Sequence, residues 1–158
     1  RVQGYNVDKC NVMDSFTFPI LVSFKNIDPL GEPPVLIFKA GDDLRQDALS
    51  LQLFRLMERL WHEAGLDLPL TPYAVVPTGP TSGLIEVVQR AATIADIQKS
   101  YGGGASAAFS KSSVTKYLKD HNDTPVKYQA AVDRFLRTCA ACCVATYVVG
   151  VGDRHNDN

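Results

Sequence analysis

The feature that most constrains this chain is a change in the period of its apolar residues. Leu44, Ala48, Leu51, Phe54, Met57 and Trp61 recur at three and four residues, which aligns them on one face of a helix expected from Leu44 to Ala64. Before that point the pattern is that of strands: Asn11 to Met13, Phe18 to Phe24 and Val35 to Lys39. Turn formers separate them at Asp14 to Thr17, at Asp28-Pro29-Leu30-Gly31 and at Pro33-Pro34. Asp43 and Gln46 fit a capping box at the start of the helix, and Gly65 fits its stop. Tyr73 to Val76 and Leu84 to Val88, joined by the turn-rich stretch Thr78 to Gly83, read as a hairpin added to the same sheet. After Gln89 the strands cease. Ala95 to Tyr101, Ser113 to Lys119 and Val126 to Tyr147 read as helices, the last entered by Thr124 as cap and Pro125 as first helical residue. A strand-rich half with one helix followed by a helical half is an α+β organisation.

Charge and hydropathy narrow the partners. Sixteen Lys and Arg against seventeen Asp and Glu give a net charge of −1, so no bulk positive field holds nucleic acid, and any anion must meet a local site. The weakly polar run from Cys139 to Gly152 is shorter than the ~20 residues of a membrane-spanning helix. The chain opens with Arg1 and shows no leader, so it reads as a segment of a longer protein. Cys139, Cys142 and Cys143 have no His nearby at zinc spacing and are expected as small buried side chains on a closely packed helix, while Cys10 stands apart. Asn122-Asp123-Thr124 matches a glycosylation acceptor by chance, and Gly102-Gly103-Gly104 reads as a connector because no strand precedes it.

Two places carry candidate chemistry. Just past the long final helix, Gly152-Asp153-Arg154-His155-Asn156-Asp157-Asn158 sets one acid, one imidazole and several amides on a loop, with Gly150 and Gly152 able to break the helix. A protein-kinase catalytic loop places Asn five residues after its Asp, so that the acid reaches the attacking hydroxyl and the amide oxygen reaches Mg²⁺. Asp153 and Asn158 are five apart as well, although here the His follows the Arg. The second place is Lys39, at the end of an apolar strand, with Asp47 eight residues on in the first turns of the helix. A lysine so held presents a fixed positive charge to nucleotide phosphates. The structural alternative is a solvated strand end and an acid that only favours the helix dipole, worth tenths of a kcal/mol, about ~0.3 to 1.

The stretches Val35-Leu36-Ile37-Phe38-Lys39-Ala40-Gly41-Asp42-Asp43-Leu44-Arg45-Gln46-Asp47, Gly83 to Val88, and Cys143 to Asn158 together resemble the phosphoinositide 3-kinase catalytic domain in residues, order and separation. The phrase from Gly41 to Asp47 is shared with phosphatidylinositol 4-kinases and, loosely, with the related large protein kinases. The endings at Gly83 to Val88 and His155 to Asn158 are more similar to the class I and class II 3-kinases. The resemblance implies a kinase-like two-lobed α+β fold, with an antiparallel-sheet N-lobe over residues 1–88, hinge included, and a partial helical C-lobe over 89–158.

The same resemblance implies a residue-by-residue site. Lys39 contacts ATP phosphates, and Asp47 and Tyr73 line the inner pocket. The carbonyl of Glu86 and the amide of Val88 hold the adenine edge, with Ile37 and Ile85 as apolar walls. Ser15, on the loop Met13 to Pro19, approaches the terminal phosphates, although basic residues common in class I near Thr17 and Phe18 are absent here. Asn158 offers an amide oxygen to Mg²⁺. His155 is the base by family analogy and Asp153 by spacing, and the choice stays open at this level. Arg154 reads as structural, and His62 and His121 as surface residues. The implied function is ATP-dependent phosphorylation of the inositol 3-hydroxyl of a phosphoinositide, by a cytoplasmic protein peripheral to membranes. A regulatory subunit is a possible partner, and nucleic acid is not. A second metal-binding Asp and a basic activation loop are expected beyond Asn158, so residues 1–158 alone are expected to be inactive. The alternatives are a phosphatidylinositol 4-kinase, a related serine/threonine protein kinase, and a pseudokinase scaffold.

Overall fold

A computed structural model of the chain describes residues 1–101, 112–153 and 155. The elements follow the order β1 (Val2–Tyr5), a short 3-10 turn (Val7–Lys9), β2 (Asn11–Val12), β3 (Ile20–Asn26), β4 (Val35–Ala40), α1 (Arg45–Glu63), β5 (Val75–Gly79), β6 (Ser82–Glu86), α2 (Ile94–Tyr101), α3 (Ser113–Asp120) and α4 (Pro125–Val149). The chain separates into two compact units, Arg1–Leu56 with Thr71–Gln89, and Met57–Leu70 with Arg90–Asn158.

The first unit is built on one antiparallel sheet, ordered β1-β3-β4-β6-β5, with β2 also paired to β3. β1 and β2 lie along the same edge of β3, Tyr5 opposite Phe24 and Val12 opposite Ile20, and the 3-10 turn bridges the gap between them. β1 escapes the sequence pattern. It is four residues long and its pairing shifts register between Val2 and Gly4, so it shows no alternation to read. The expected hairpin exists but sits about two residues later in β5 and two earlier in β6, with Pro80 and Thr81 at the turn. Pro77 is admitted because β5 is an edge strand, where a missing N–H breaks no ladder bond.

The helix starts where the strand periodicity ends. Asp43 does not form the expected capping box with Gln46; its carboxylate accepts the Arg45 backbone N–H at 3.1 Å and pairs with the Arg45 guanidinium, Nε at 2.8 Å and Nη2 at 2.6 Å. Those bonds hold the Asp43 carboxyl down to about 2, well below its ordinary value. The carboxylate therefore stays charged at the positive end of the helix dipole, and its contribution is lost only as pH falls through about 2. Leu44 and Leu51 are the buried apolar side chains of this unit. Gly83 explains the position of Leu44: a Cβ there would lie 2.7 Å from Leu44 Cδ1 and 2.8 Å from the Val76 carbonyl oxygen, so the leucine packs where a side chain is missing.

In the second unit α2 and α3 meet through Tyr101 and Tyr117, edge to face with ring centres 6.0 Å apart, over buried Ile97 and Ser113. α4 opens as expected: the Thr124 hydroxyl accepts the Lys127 N–H at 3.3 Å, and Pro125 occupies the first helical position. Arg137 of α4 pairs with Asp67, and the Leu70 N–H reaches the Glu58 carboxylate at 2.9 Å, so the segment after α1 is tied at both ends. One expectation is corrected here. Cys139 and Cys143 are exposed and Cys142 is only partly covered, because the buried line of α4 runs through Ala141 and Ala145, nearly the opposite side of the helix. His62 and His121 are exposed, as expected.

Candidate active site

The strand register places the site residues of the first unit. Ile37 lies opposite both Leu21 and Ile85, and Lys39 lies opposite Gly83. Because directly opposed residues share a face, Leu21, Ile37, Ile85 and Lys39 line one side of the sheet. Leu44 fills the space over Gly83 on that same side, so the start of α1 is brought next to the strand that carries the lysine.

Lys39 is held, but not by the carboxylate expected. Its ammonium donates to Asp42 Oδ2 at 3.0 Å, and both side chains keep about a third of their surface in water (30% and 39%). Asp47 lies exposed in the first turn of α1. The reason is the turn between strand and helix. Gly41 has φ +99°, a left-handed conformation open to glycine, and its N–H donates to the Thr81 carbonyl at 2.7 Å. This bend folds Asp42 back over the strand end before the helix begins, so the nearer acid takes the lysine. The signal was present in the sequence as an acid three residues after Lys39, across a glycine. A solvated pair of this kind adds only ~0 to 1 kcal/mol to stability. What it supplies is an oriented ammonium that keeps part of its surface open.

The loop carrying Ser15 is anchored at the same place. Its base is closed by the Met13 N–H to the Pro19 carbonyl at 2.8 Å, and its tip by the Phe18 N–H to the Ser15 carbonyl at 3.0 Å. Thr17 Cγ2 lies 3.7 Å from where a Cβ on Gly41 would be, so the loop rests against the turn that follows Lys39. Ser15 itself is exposed.

At the far end of β6 the main chain is arranged unevenly. The Glu86 N–H donates to the Ala74 carbonyl at 2.8 Å, but the return bond from the Ala74 N–H goes to the Glu86 carboxylate at 2.8 Å, not to its main-chain carbonyl. The Val87 N–H is taken by the Val35 carbonyl at 3.2 Å, whereas the Val88 N–H has no hydrogen-bond partner among the described residues. One carbonyl and one N–H, two residues apart, thus point away from the ladder. Tyr73 precedes β5, partly exposed, and its carbonyl accepts Arg55 Nη2 of α1 at 3.0 Å.

In the second unit α4 ends at Gly150, with φ +72°, where its N–H and that of Val151 cap the Tyr147 and Thr146 carbonyls. The chain then leads directly to Asp153 and His155, both exposed, with His155 Nε2 3.7 Å from Asp153 Oδ1. The two candidate bases are therefore neighbours, and an imidazolium formed at His155 would have a carboxylate beside it. Arg154 and Asn156 to Asn158, the assigned Mg²⁺ amide included, lie outside the described residues, as does Gly102-Gly103-Gly104.

The first unit carries an apolar sheet face ending in a paired lysine, with a serine loop resting on the following turn, and the second a helix that runs into an acid and imidazole loop, each a feature expected of a kinase domain. Comparison with known proteins makes the class specific. A family model described as phosphatidylinositol 3- and 4-kinase matches residues 35–158. The chain belongs to that family. It is similar to phosphatidylinositol 3-kinase 1 of Dictyostelium discoideum, 52% identical over 98% of this chain and 10% of the relative. Similarity to phosphatidylinositol 3-kinase 3 of the same organism is 52% over 100% of the chain and 9% of the relative. The human phosphatidylinositol 4-phosphate 3-kinase C2 domain-containing subunit beta is 41% identical over 99% of the chain and 10% of the relative. The chain thus spans about a tenth of the length of these relatives.

Proposed function

We propose that this protein transfers the γ-phosphoryl of ATP to the 3-hydroxyl of the inositol ring in a phosphoinositide, with residues 1–88 acting as the N-lobe of a two-lobed kinase and residues 89–158 forming part of its C-lobe. The observation that carries the proposal is Lys39, held by Asp42 at 3.0 Å, at the end of a strand whose following turn the Ser15 loop rests against. The names of the relatives supply the lipid substrate and the ring position. A substrate that sits in a bilayer would bring the protein to the membrane surface; among the described residues no helix is long and apolar enough to cross a membrane.

Phosphoryl transfer of this kind passes through a loose transition state, so the protein's task is positioning and charge neutralisation. Ile37 and Ile85 would form the apolar walls for the adenine, and the Val88 N–H and Glu86 carbonyl would fix its edge, each making one directional bond in an otherwise apolar setting. Tyr73 and Asp47 would line the inner end. Lys39 would meet the phosphates, and Ser15 with the amides of its loop would hold the terminal one. His155 would take the proton of the attacking hydroxyl, with Asp153 orienting the ring and stabilising its charged form. Mg²⁺ bonds to oxygen and takes several positions from substrate phosphates, so Asn158 suits it as a protein ligand, and the charge it brings would offset that of the transferring group. The presence of Lys39, Asp47, His155 and Asn158 together speaks against a pseudokinase scaffold.

The test is a lipid-kinase assay on the intact protein with phosphatidylinositol vesicles, ATP and Mg²⁺, followed by identification of the phosphorylated ring position. Product at position 3 is expected. Product at position 4, or label appearing only in protein serine or threonine, would replace this reading with one of its rivals.

A further inference from the structure

The loop that rests on the turn after Lys39 also displays two exposed phenylalanines. Phe16, at its tip, is 98% exposed and Phe18 is 63% exposed. They stand out because the loop holds them there: Phe18 has φ +45°, a conformation unfavourable for a bulky residue, and its N–H is fixed to the Ser15 carbonyl at 3.0 Å. Val12 and Ile20 lie directly opposite each other in the β2 and β3 pair, 57% and 41% exposed, but on the sheet face opposite to that of Lys39, so they are not counted with the phenylalanines. From Val12 to Ile20 the only charged residue is Asp14. Two phenylalanines kept in water by a strained, hydrogen-bonded loop mark an interaction surface.

We propose that Phe16 and Phe18 dip into the surface of the lipid bilayer that carries the substrate. The proposal rests on the phosphoinositide reading above, which supplies the geometry. An acceptor hydroxyl on a lipid headgroup cannot travel far from its membrane, because the headgroup layer is only roughly 5 to 8 Å deep on each side. The loop that holds the terminal phosphate beside that hydroxyl must therefore lie at the same surface. Aromatic side chains are suited to that boundary, and apolar insertion needs no positive charge, which this loop lacks. A protein partner would leave vesicle binding untouched and is an outcome of the test.

The experiment compares the intact protein with Phe16→Ser and with Phe16→Ser/Phe18→Ser. Binding is read by sedimentation with phosphatidylcholine vesicles containing phosphatidylinositol. Turnover is read on those vesicles and on a monomeric short-chain phosphatidylinositol. The double variant is expected to bind vesicles about tenfold less and to lose turnover on them by clearly more than any loss it shows on the short-chain lipid. Raising the salt should leave vesicle binding of the parent protein nearly intact, because the contact is apolar. Unchanged vesicle binding by the double variant, an equal loss on the short-chain lipid, or binding abolished by salt each overturns the proposal. Phe16→Ser alone touches the least of the fold and should show part of the same loss. If the parent protein phosphorylates neither lipid, the proposed activity is what fails, and sedimentation alone still decides the role of the loop.

Discussion

Lys39→Met should reduce phosphoryl transfer by more than about a hundredfold while leaving the protein folded. Methionine preserves the length and the apolar stem of the lysine and removes only its charge. In the fold that charge makes one solvated pair, with Asp42 at 3.0 Å, so its loss costs at most ~1 kcal/mol and should move Tm by only a few degrees. In the proposed reaction the same charge would face phosphates whose negative density must be neutralised at the transition state, where one well-placed donor is worth ~10²–10³ in rate. The separation between a small effect on stability and a large one on rate is the signature expected of a site residue. Turnover within threefold of the parent would remove Lys39 from the mechanism, and a collapse of Tm would show that its role is structural.

His155→Ala should lower kcat by ~10²–10⁴ and leave the KM for ATP nearly unchanged, because a general base acts on the acceptor hydroxyl and not on the bound nucleotide. Asp153→Asn should cost less, about tenfold, since Asp153, 3.7 Å from the imidazole, is assigned to orient it. His155 is exposed, so free imidazole added to His155→Ala has access to the site and should restore part of the rate. Reversal of the order, with Asp153→Asn the more damaging and no rescue by imidazole, would make Asp153 the base. Both measurements belong on the intact protein, with the nucleotide saturating.

Strong periodicity was legible in the sequence and weak periodicity was not. The long helix showed both its apolar face and its glycine stop, and the cap of α4 was readable because Thr124 and Pro125 perform a local task that needs no tertiary information. β1 was invisible because four residues interrupted by a register shift carry no alternation. The buried side of α4 was also unreadable. A run of Ala, Cys, Val and Thr is apolar all round, so nothing in its order singles out Ala141 and Ala145 over Cys139 and Cys143.

The candidate site divides in the same way. Lys39 came from residue type and position and Ile37 and Ile85 from the family resemblance, and the register puts the three on one face. The partner of Lys39 did not, because the choice between Asp42 and Asp47 depends on how sharply Gly41 bends the chain, a property of φ and not of spacing. The uneven hydrogen bonding at Glu86 and Val88 likewise depends on the Glu86 carboxylate displacing its own carbonyl from the Ala74 N–H. No one-dimensional pattern records such a substitution.

The claim that the rest depends on is that the Lys39 ammonium meets the phosphates of bound ATP. It is tested most directly by treating the intact protein with an acyl phosphate of ATP, which transfers its acyl group to a lysine lying beside the phosphates, and mapping the modified peptide. Acylation at Lys39 that is suppressed by excess ATP is the predicted result. Acylation confined to other lysines, or modification of Lys39 that ATP does not suppress, would contradict it.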